Sequence, residues 1–154
     1  MTTGVLLNAI SGAYFSNAKI HSNYTGIFAN ASLVFLRNGS KVYGNNGNGL
    51  ELYGVYNSVT RSFNSMLTVG DLGCGSIYNN NKGVYAKNTI LNIDAIQHSI
   101  NLGDMNVIPN QFYGNTNLMF DVCYSFGARA PFQINAKGNY WGASVITPSE
   151  YSIV

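Results

Sequence analysis

The amino-acid sequence predicts an all-β protein folded as a parallel β-helix solenoid. The first reason is a phrase that starts with an apolar residue and reaches an Asn three residues later. Its four copies are Ile20–Asn23, Val42–Asn45, Ile77–Asn80 and Phe112–Asn115. Their first residues lie 22, 35 and 35 residues apart. Repeats of this length, each one supersecondary unit, are typical of solenoids.

The second reason is the abundance of strand signals and the scarcity of helical ones. Segments of three to six residues rich in Val, Ile, Tyr and Phe recur from Gly4 onward, between turns rich in Gly and Asn. No long segment keeps the apolar spacing of a helix. A sandwich or barrel also has many short strands, but it does not need one residue type at one offset in successive units. A parallel β-helix does, because equivalent positions stack about 4.8 Å apart.

Stacking of equivalent positions predicts ladders of like side chains. One offset predicts an Asn ladder that exchanges amide hydrogen bonds along the stack, and its members are Asn23, Asn45, Asn80 and Asn115. The neighbouring offset predicts an aromatic stack of Tyr43, Tyr78 and Tyr113, with His21 in the first copy. Two apolar stacks are also predicted, Ile20 with Val42, Ile77 and Phe112, and Ile27 with Leu50, Val84 and Met119.

The 35-residue spacings require additional residues within two of the repeats. We expect insertions in 56–73 and 97–109, emerging on the same side of the molecule, where solenoids often carry their binding surface. Glycines at the turns are expected to supply the positive φ that such corners need.

The composition restricts the class of protein. Only 9% of the residues are charged, against about 25% in an ordinary domain, whereas the chain has 22 Asn and 17 Gly. With 46% apolar residues, the chain does not have the composition of a disordered protein. The net charge of +2 comes without a Lys/Arg cluster, so we expect no nucleic-acid partner. No apolar run approaches the roughly 18 residues of a membrane span, so we expect no membrane insertion.

Residues that could carry chemistry are few and scattered. Glycoside hydrolysis needs two carboxyl groups at a fixed separation, and the nearest acids in the sequence, Asp94 and Asp104, are ten residues apart. Glu51 is expected in a row with Tyr85 and Phe120, without an acidic neighbour. We therefore predict no catalytic residue, and the sequence leans against an enzyme. No Cys or His lies at metal-ligand spacing from His21 or His98, so neither a metal site nor a cofactor is predicted.

Two features leave alternatives open. Tyr43, Tyr78 and Tyr113 are candidate ligand-binding residues, because exposed rings with nearby amides suit neutral glycans. Packing between neighbouring strands that stabilises the sheet also accounts for the stack, and it is the favoured interpretation. Cys74 and Cys123 are either buried thiols or a disulfide between neighbouring repeats.

The segment Gly138-Asn139-Tyr140-Trp141-Gly142 resembles the closing motif of right-handed parallel β-helix repeat proteins of the pectin-lyase-like kind. The repeated phrase resembles the same family, and the resemblance covers roughly residues 4–142. It implies a right-handed solenoid of about five rungs, with Tyr140 and Trp141 as a plug over the open end of the core. The family includes polysaccharide lyases and hydrolases, surface adhesins and exported bacterial proteins, some of them carried by a type IX secretion sorting domain.

The resemblance leads to expectations about organisation and function. We expect β-helix repeats over 1–142, a C-terminal extension or linker over 143–154, and a larger parent protein, since the start lacks a signal peptide. The expected function is a non-catalytic module of a secreted or cell-surface bacterial protein, a structural spacer or adhesin that binds glycans or other surface components. One alternative is the C-terminal part of a polysaccharide lyase or glycoside hydrolase whose catalytic rungs lie upstream. Another is passenger cargo of a secretion system.

Overall fold

Every described secondary-structure element of the protein is a β-strand. The structure is a computed structural model that describes residues 1–57, 59, 62–70, 74–92, 111–116, 118–123, 134–135 and 151–153. No helix occurs within these ranges. Nothing in the described part of the chain is therefore a helix that could span a membrane. The predicted all-β class is confirmed at this level.

The strands are short, two to six residues each, and follow one another closely along the chain. In order they are β1 Thr3–Asn8, β2 Ala13–Ser16, β3 Lys19–His21, β4 Thr25–Asn30, β5 Leu33–Arg37, β6 Ser40–Tyr43, β7 Asn48–Tyr53, β8 Tyr56–Asn57, β9 Ser62–Phe63, β10 Met66–Val69, β11 Gly75–Tyr78, β12 Lys82–Lys87, β13 Ile90–Asn92, β14 Gln111–Tyr113, β15 Leu118–Cys123, β16 Ile134–Asn135 and β17 Tyr151–Ile153.

Three parallel sheets contain all of these strands except β8 and β9. Sheet A has the order β1-β4-β7-β12-β15-β17, sheet B the order β16-β13-β10-β5-β2, and sheet C the order β14-β11-β6-β3. The chain visits sheets A, B and C in turn, and we call one such visit a repeat. The first four repeats are β1–β3, β4–β6, β7 with β10 and β11, and β12–β14. This order is consistent with a β-helix-like solenoid.

The hydrophobic core lies between the inner faces of the sheets. Side chains of a strand alternate between its two faces, and the buried apolar side chains in the described part of the chain are mostly Val, Leu and Ile. On sheet C the register pairs Ile20 with Val42, Val42 with Ile77, and Ile77 with Phe112. All four side chains are buried, which confirms the predicted internal stack.

The second predicted apolar stack needs one correction. Ile27 pairs with Leu50 and Leu50 with Val84 on sheet A, but Val84 pairs with Phe120 instead of Met119. The turn that follows the Asn differs by one residue between repeats, so the equivalent position shifts. Val84 comes four residues after Asn80, whereas Phe120 comes five residues after Asn115.

Left-handed backbone conformations form the corners between the sheets. From sheet A to sheet B the corner residues include Ala9, Ala31 and Asn88, with φ of 54°, 48° and 51°. From sheet B to sheet C, Asn17, Asn38, Gly39 and Gly70 have positive φ, and from sheet C to sheet A, Ser22, Gly44, Asn79 and Gly114 do. Asn and Gly adopt this region at the lowest steric cost, which accounts for their presence at most of these corners.

The insertion predicted for 56–73 is divided by a strand of the sheet. Its first part forms the antiparallel hairpin β8–β9, where Tyr56 pairs with Phe63. Met66–Val69, however, is β10 and pairs with Leu33–Leu36 in sheet B, so the prediction of one continuous loop is wrong. The hairpin lies between sheet A and sheet B in the chain order. The second predicted insertion, 97–109, lies outside the described residues and follows a strand of sheet B, so a common side does not follow.

The C-terminal predictions fall largely outside the described part of the chain. Tyr140 and Trp141, the predicted plug, are not among the described residues. Within 143–154, Tyr151–Ile153 forms β17, which pairs in parallel with Phe120–Val122 of sheet A.

Candidate functional site

The candidate site is the outer face of sheet C, bounded on one side by the turns that lead to sheet A. Strands β3, β6, β11 and β14 place an apolar residue inward and the next residue outward. The outward residues in register are His21, Tyr43, Tyr78 and Tyr113, which we call the tyrosine stack. Each is followed two residues later by an Asn of the predicted ladder.

The Asn side chains lie in successive repeats and hydrogen-bond to one another. Asn45 donates from its backbone N–H and its Nδ2 to Oδ1 of Asn80, at 3.1 and 2.8 Å. Asn23 donates in the same way to Asn45, at 3.1 and 3.4 Å, and Asn80 to Asn115, at 2.9 and 3.1 Å. One Oδ1 thus accepts two hydrogen bonds from the preceding repeat at each of three steps.

The remaining donor capacity of these amides is directed at backbone carbonyls. Nδ2 of Asn80 donates to the carbonyls of Val42, at 3.2 Å, and Tyr78, at 3.1 Å. Asn45 makes equivalent bonds to Ile20 and Tyr43. Asn45 and Asn80 are 2% and 1% exposed, so an amide without these partners would be buried unsatisfied. The ladder therefore fixes the turns that directly follow the strands of the tyrosine stack.

A row of glycines lies against the Asn ladder on sheet A. Gly4, Gly26, Gly49 and Gly83 occupy one register position of β1, β4, β7 and β12. A Cβ on Gly49 would lie 2.6 Å from the carbonyl oxygen of Gly83 and 2.8 Å from Nδ2 of Asn80. These glycines do not have positive φ. Their role is to permit close approach between repeats. The expectation that glycines here supply positive φ is therefore wrong for this row.

The rings of the tyrosine stack are nearly parallel and lie one above the other. Centroids are 4.8 Å apart between His21 and Tyr43, 5.0 Å between Tyr43 and Tyr78, and 4.9 Å between Tyr78 and Tyr113. The two Tyr–Tyr pairs have interplanar angles of only 4° and 9°. Each face of the Tyr43 and Tyr78 rings is therefore covered by a neighbouring ring.

This geometry determines what the stack can offer a ligand. A sugar that stacks on an aromatic ring needs an uncovered ring face, and Tyr43 and Tyr78 do not present one. Both side chains are half-buried, and in the described part of the chain no protein group hydrogen-bonds either hydroxyl. The stack thus presents ring edges and phenolic hydroxyls about one strand spacing apart.

The central hydroxyl of the stack titrates abnormally. Burial, and then the neighbouring hydroxyls of Tyr113 and Tyr43, raise the pKa of Tyr78 above its ordinary value of 10.0. A phenolate between two phenols on a half-buried surface is poorly solvated. Tyr78 is therefore neutral at physiological pH, and its hydroxyl can both donate and accept hydrogen bonds.

A second column on the same face carries two lysines. Lys19 pairs with Lys41, and Lys41 with Ser76, in the register of β3, β6 and β11. Both lysine side chains are exposed, whereas Ser76 is buried. This pair was not predicted from the sequence, because the two lysines are 22 residues apart in the chain. The signal was their common offset, two residues before His21 and Tyr43.

Carboxylates are absent from the strands of sheet C, whereas Glu51 lies on β7 of sheet A. It faces outward from sheet A, where its Oε2 accepts from Asn48 Nδ2 at 3.0 Å and Thr25 Oγ1 at 3.4 Å, and its Oε1 accepts from Tyr53 Oη at 2.9 Å. Its row in sheet A contains Phe28, Tyr85 and Asp121. The predicted row with Phe120 is wrong, for the one-residue shift described above.

The described residues do not form a metal centre. No three His, Cys, Asp or Glu side chains in the described ranges come close enough together to hold an ion. His21 lies at the end of the tyrosine stack, and its Nδ1 is 2.9 Å from Ser22 Oγ. Cys74 is a half-buried free thiol, and the side chain of Cys123 lies outside the described part of the structure.

The chain matches no protein-family model, and neither the curated proteins nor the solved structures contain a match to it.

Proposed function

We propose that the chain is a right-handed parallel β-helix of about five rungs that serves as a rigid, non-catalytic module of an exported bacterial surface protein and binds glycans on sheet C. The order of strands supports the β-helix, since consecutive strands enter different sheets and return in parallel. The right hand is that of almost all parallel crossovers, about 98%. The surface location rests on the resemblance and on the low charge of the chain.

The observation that carries the proposal is the continuity of side-chain contacts from repeat to repeat. The Asn ladder and the tyrosine stack each run through four repeats. Side chains held in this way lose little conformational freedom on binding, which favours recognition by a preorganised surface. A flat row of hydroxyls at regular spacing on such a surface suits a polymer of hydroxyl-rich units.

The mode of binding follows from the covered rings. Tyr43 and Tyr78 contribute hydroxyls and ring edges, so hydrogen bonds at the stack carry the recognition and ring stacking contributes little. A ligand hydroxyl would meet donors and acceptors in the same row, since each neutral phenol is both. Removal of one hydroxyl is therefore expected to weaken binding without disturbing the fold.

The experiment is a glycan-array screen of the whole chain, repeated with Tyr78→Phe. This variant keeps the stacked ring and removes only the hydroxyl. The matched control is Tyr14→Phe on sheet B, where the Tyr14 ring stacks on Phe35 at 4.7 Å and lies under the guanidinium of Arg37. We expect binding that Tyr78→Phe weakens by about one hydrogen bond, or roughly fivefold to tenfold. Absence of binding to any glycan, or equal loss in the control, would count against the proposal.

The register of sheet A favours one alternative function, in which the chain is part of a carbohydrate-active enzyme. Glu51 and Asp121 occupy one register row of sheet A, with Tyr85 between them. Two strand spacings are about 9–10 Å, close to the roughly 6.5–9.5 Å between the carboxyl groups of inverting glycosidases. Release of reducing ends from a polysaccharide, lost in Glu51→Gln, would support hydrolysis over simple binding.

A further inference from the structure

The basic residues of the first two repeats lie without any acidic residue among them. Residues 1–50 contain Lys19, Arg37 and Lys41 but no Asp or Glu, and the first carboxylate of the chain is Glu51. The sequences of β3, β6, β11 and β14 also contain no acid. The beginning of sheet C is therefore locally positive, although the whole chain has a net charge of only +2.

Lys19 and Lys41 are the centre of this positive region. They are register partners on neighbouring strands, so their Cα atoms are about one strand spacing, roughly 4.8 Å, apart. Like charges directly opposite one another in a sheet are unfavourable. In the described part of the chain no carboxylate pairs with either ammonium group to offset this repulsion. An external anion would do so.

Hydrogen-bond donors lie beside the two ammonium groups. Two residues along the same strands are His21 and Tyr43, whose rings stack at 4.8 Å. The Tyr43 hydroxyl has no protein partner in the described ranges, so it is available to an anion that the lysines attract. On this face the Lys pair would supply positive charge, and the hydroxyl would supply a directional hydrogen bond.

The chemistry of the donors selects among anions. Arg presents a planar fork that matches a carboxylate in two parallel hydrogen bonds, whereas Lys acts as a point charge. Two point charges and one hydroxyl impose no planar geometry on an anion, which suits the tetrahedral oxygens of a sulfate or phosphate ester better than a planar carboxylate. We propose that Lys19, Lys41 and Tyr43 form a subsite for the sulfate or phosphate ester groups of a glycan.

Nucleic acid is a poorer fit to the same surface. Proteins that bind single strands combine basic grooves with aromatic faces on which bases stack. The faces of Tyr43 and Tyr78 are already covered by neighbouring rings. A phosphate backbone could reach the lysines, but its bases would find no uncovered ring face on these two tyrosines.

The subsite rests on the proposed glycan binding and is tested separately from it. The whole chain is titrated with dextran, dextran sulfate, a poly(glycerol phosphate), polygalacturonate and single-stranded DNA at increasing salt. The test variant is Lys19→Gln with Lys41→Gln. The control is Lys82→Gln with Lys87→Gln, which removes the same charge from sheet A. Both lysines of the test pair are exposed, so that variant is expected to fold.

We expect dextran sulfate or poly(glycerol phosphate) to bind more tightly than dextran and polygalacturonate. The test variant should weaken this binding about tenfold and reduce its salt dependence, and the control should change it less than about twofold. Tighter binding of dextran sulfate would identify the ligand group as a sulfate ester, and tighter binding of poly(glycerol phosphate) would identify it as a phosphodiester.

Three outcomes would overturn the subsite. Equal loss in both variants would show attraction by net charge alone. Binding to dextran that is as tight as binding to either ester polymer would leave glycan binding intact and remove the anion subsite. Binding to single-stranded DNA that is tighter than to any glycan, and lost in the test variant, would assign the lysines to nucleic acid.

Discussion

At the scale of single residues, the buried amides of Asn45 and Asn80 are the most constrained polar groups in the described structure. Each accepts two hydrogen bonds from the preceding repeat and donates to that repeat and to its own backbone. A polar group that loses its partners inside a protein costs far more than an exposed one. Substitution of a buried ladder Asn is therefore expected to lower stability more than substitution of an exposed Asn of this chain.

Asn80→Ala is expected to lower the free energy of unfolding by about 2–4 kcal/mol, because the interior loses the oxygen that accepts from the backbone N–H and Nδ2 of Asn45 and the amide that donates to two backbone carbonyls. The measurement is a urea titration followed by circular dichroism. Asn46→Ala is the matched control, since Asn46 is exposed and its side chain makes no hydrogen bond in the described structure. Equal losses in the two variants would contradict a structural ladder.

The pKa of Tyr78 makes stability depend on alkaline pH. Because the folded-state pKa lies above the ordinary 10.0, folding favours the neutral phenol. The contribution is fully present below pH 10 and is lost as pH rises through the folded-state pKa. We expect the urea midpoint to fall as pH rises above 10, and to fall less in Tyr78→Phe. If Tyr14→Phe reduces the fall to the same extent, the effect does not belong to the stack.

At the scale of elements, the turn from sheet C to sheet A combines two different requirements for small residues. The residue before each ladder Asn is left-handed, with φ of 60° at Ser22, 60° at Gly44, 54° at Asn79 and 63° at Gly114. A few residues later the glycine row has ordinary φ but no room for a side chain. The first requirement is conformational, and Asn can meet it. The second is steric, and only Gly can.

Two substitutions separate these requirements. Gly49→Ala is expected to destabilise the protein by about 2–3 kcal/mol, because its Cβ would overlap the backbone of the next repeat. Gly44→Asn is expected to cost less than about 1 kcal/mol, since Asn tolerates the left-handed region and already occupies the equivalent position as Asn79. Thermal unfolding of both variants gives the comparison, and a reversed order would refute this division of roles.

At the scale of the whole molecule, the core contains stacks in which the register partners of each side chain lie in the adjacent repeats. Ile77 lies between Val42 and Phe112, and Ile20 lies one further repeat away. In a solenoid, stability is approximately a sum of repeat and nearest-neighbour terms. The proposed architecture therefore predicts energetic coupling between residues of adjacent repeats and little coupling between residues further apart.

Double-mutant cycles test this statement. Val42→Ala and Ile77→Ala remove contacting side chains and should show a coupling above about 0.5 kcal/mol. Ile20→Ala and Ile77→Ala are separated by β6 and should be additive within about 0.5 kcal/mol. Urea titration of the single and double variants provides the free energies. Strong coupling in the second pair with none in the first would be incompatible with stacked repeats.

The sequence by itself determined the features that depend on local alternation and on a recurring offset. Ile20, Val42, Ile77 and Phe112 could be assigned to the core, and their strands to one sheet, because side chains alternate along a strand and like positions recur with like residues. The offsets of the Asn and Tyr residues were visible for the same reason. Handedness and function were not determined in this way.

The tertiary structure decided what depends on the distance and register between repeats. Phe120 replaces Met119 because turn lengths vary by one residue, and β10 lies within 56–73 because a hairpin separates it in the chain from β7 of the same repeat. The ring faces of Tyr43 and Tyr78 are covered because strands stack at nearly the thickness of an aromatic pair, and Lys19 meets Lys41 across 22 residues of chain. Register is a property of strands already paired, so a side chain's neighbours in adjacent repeats become definite only in the folded molecule.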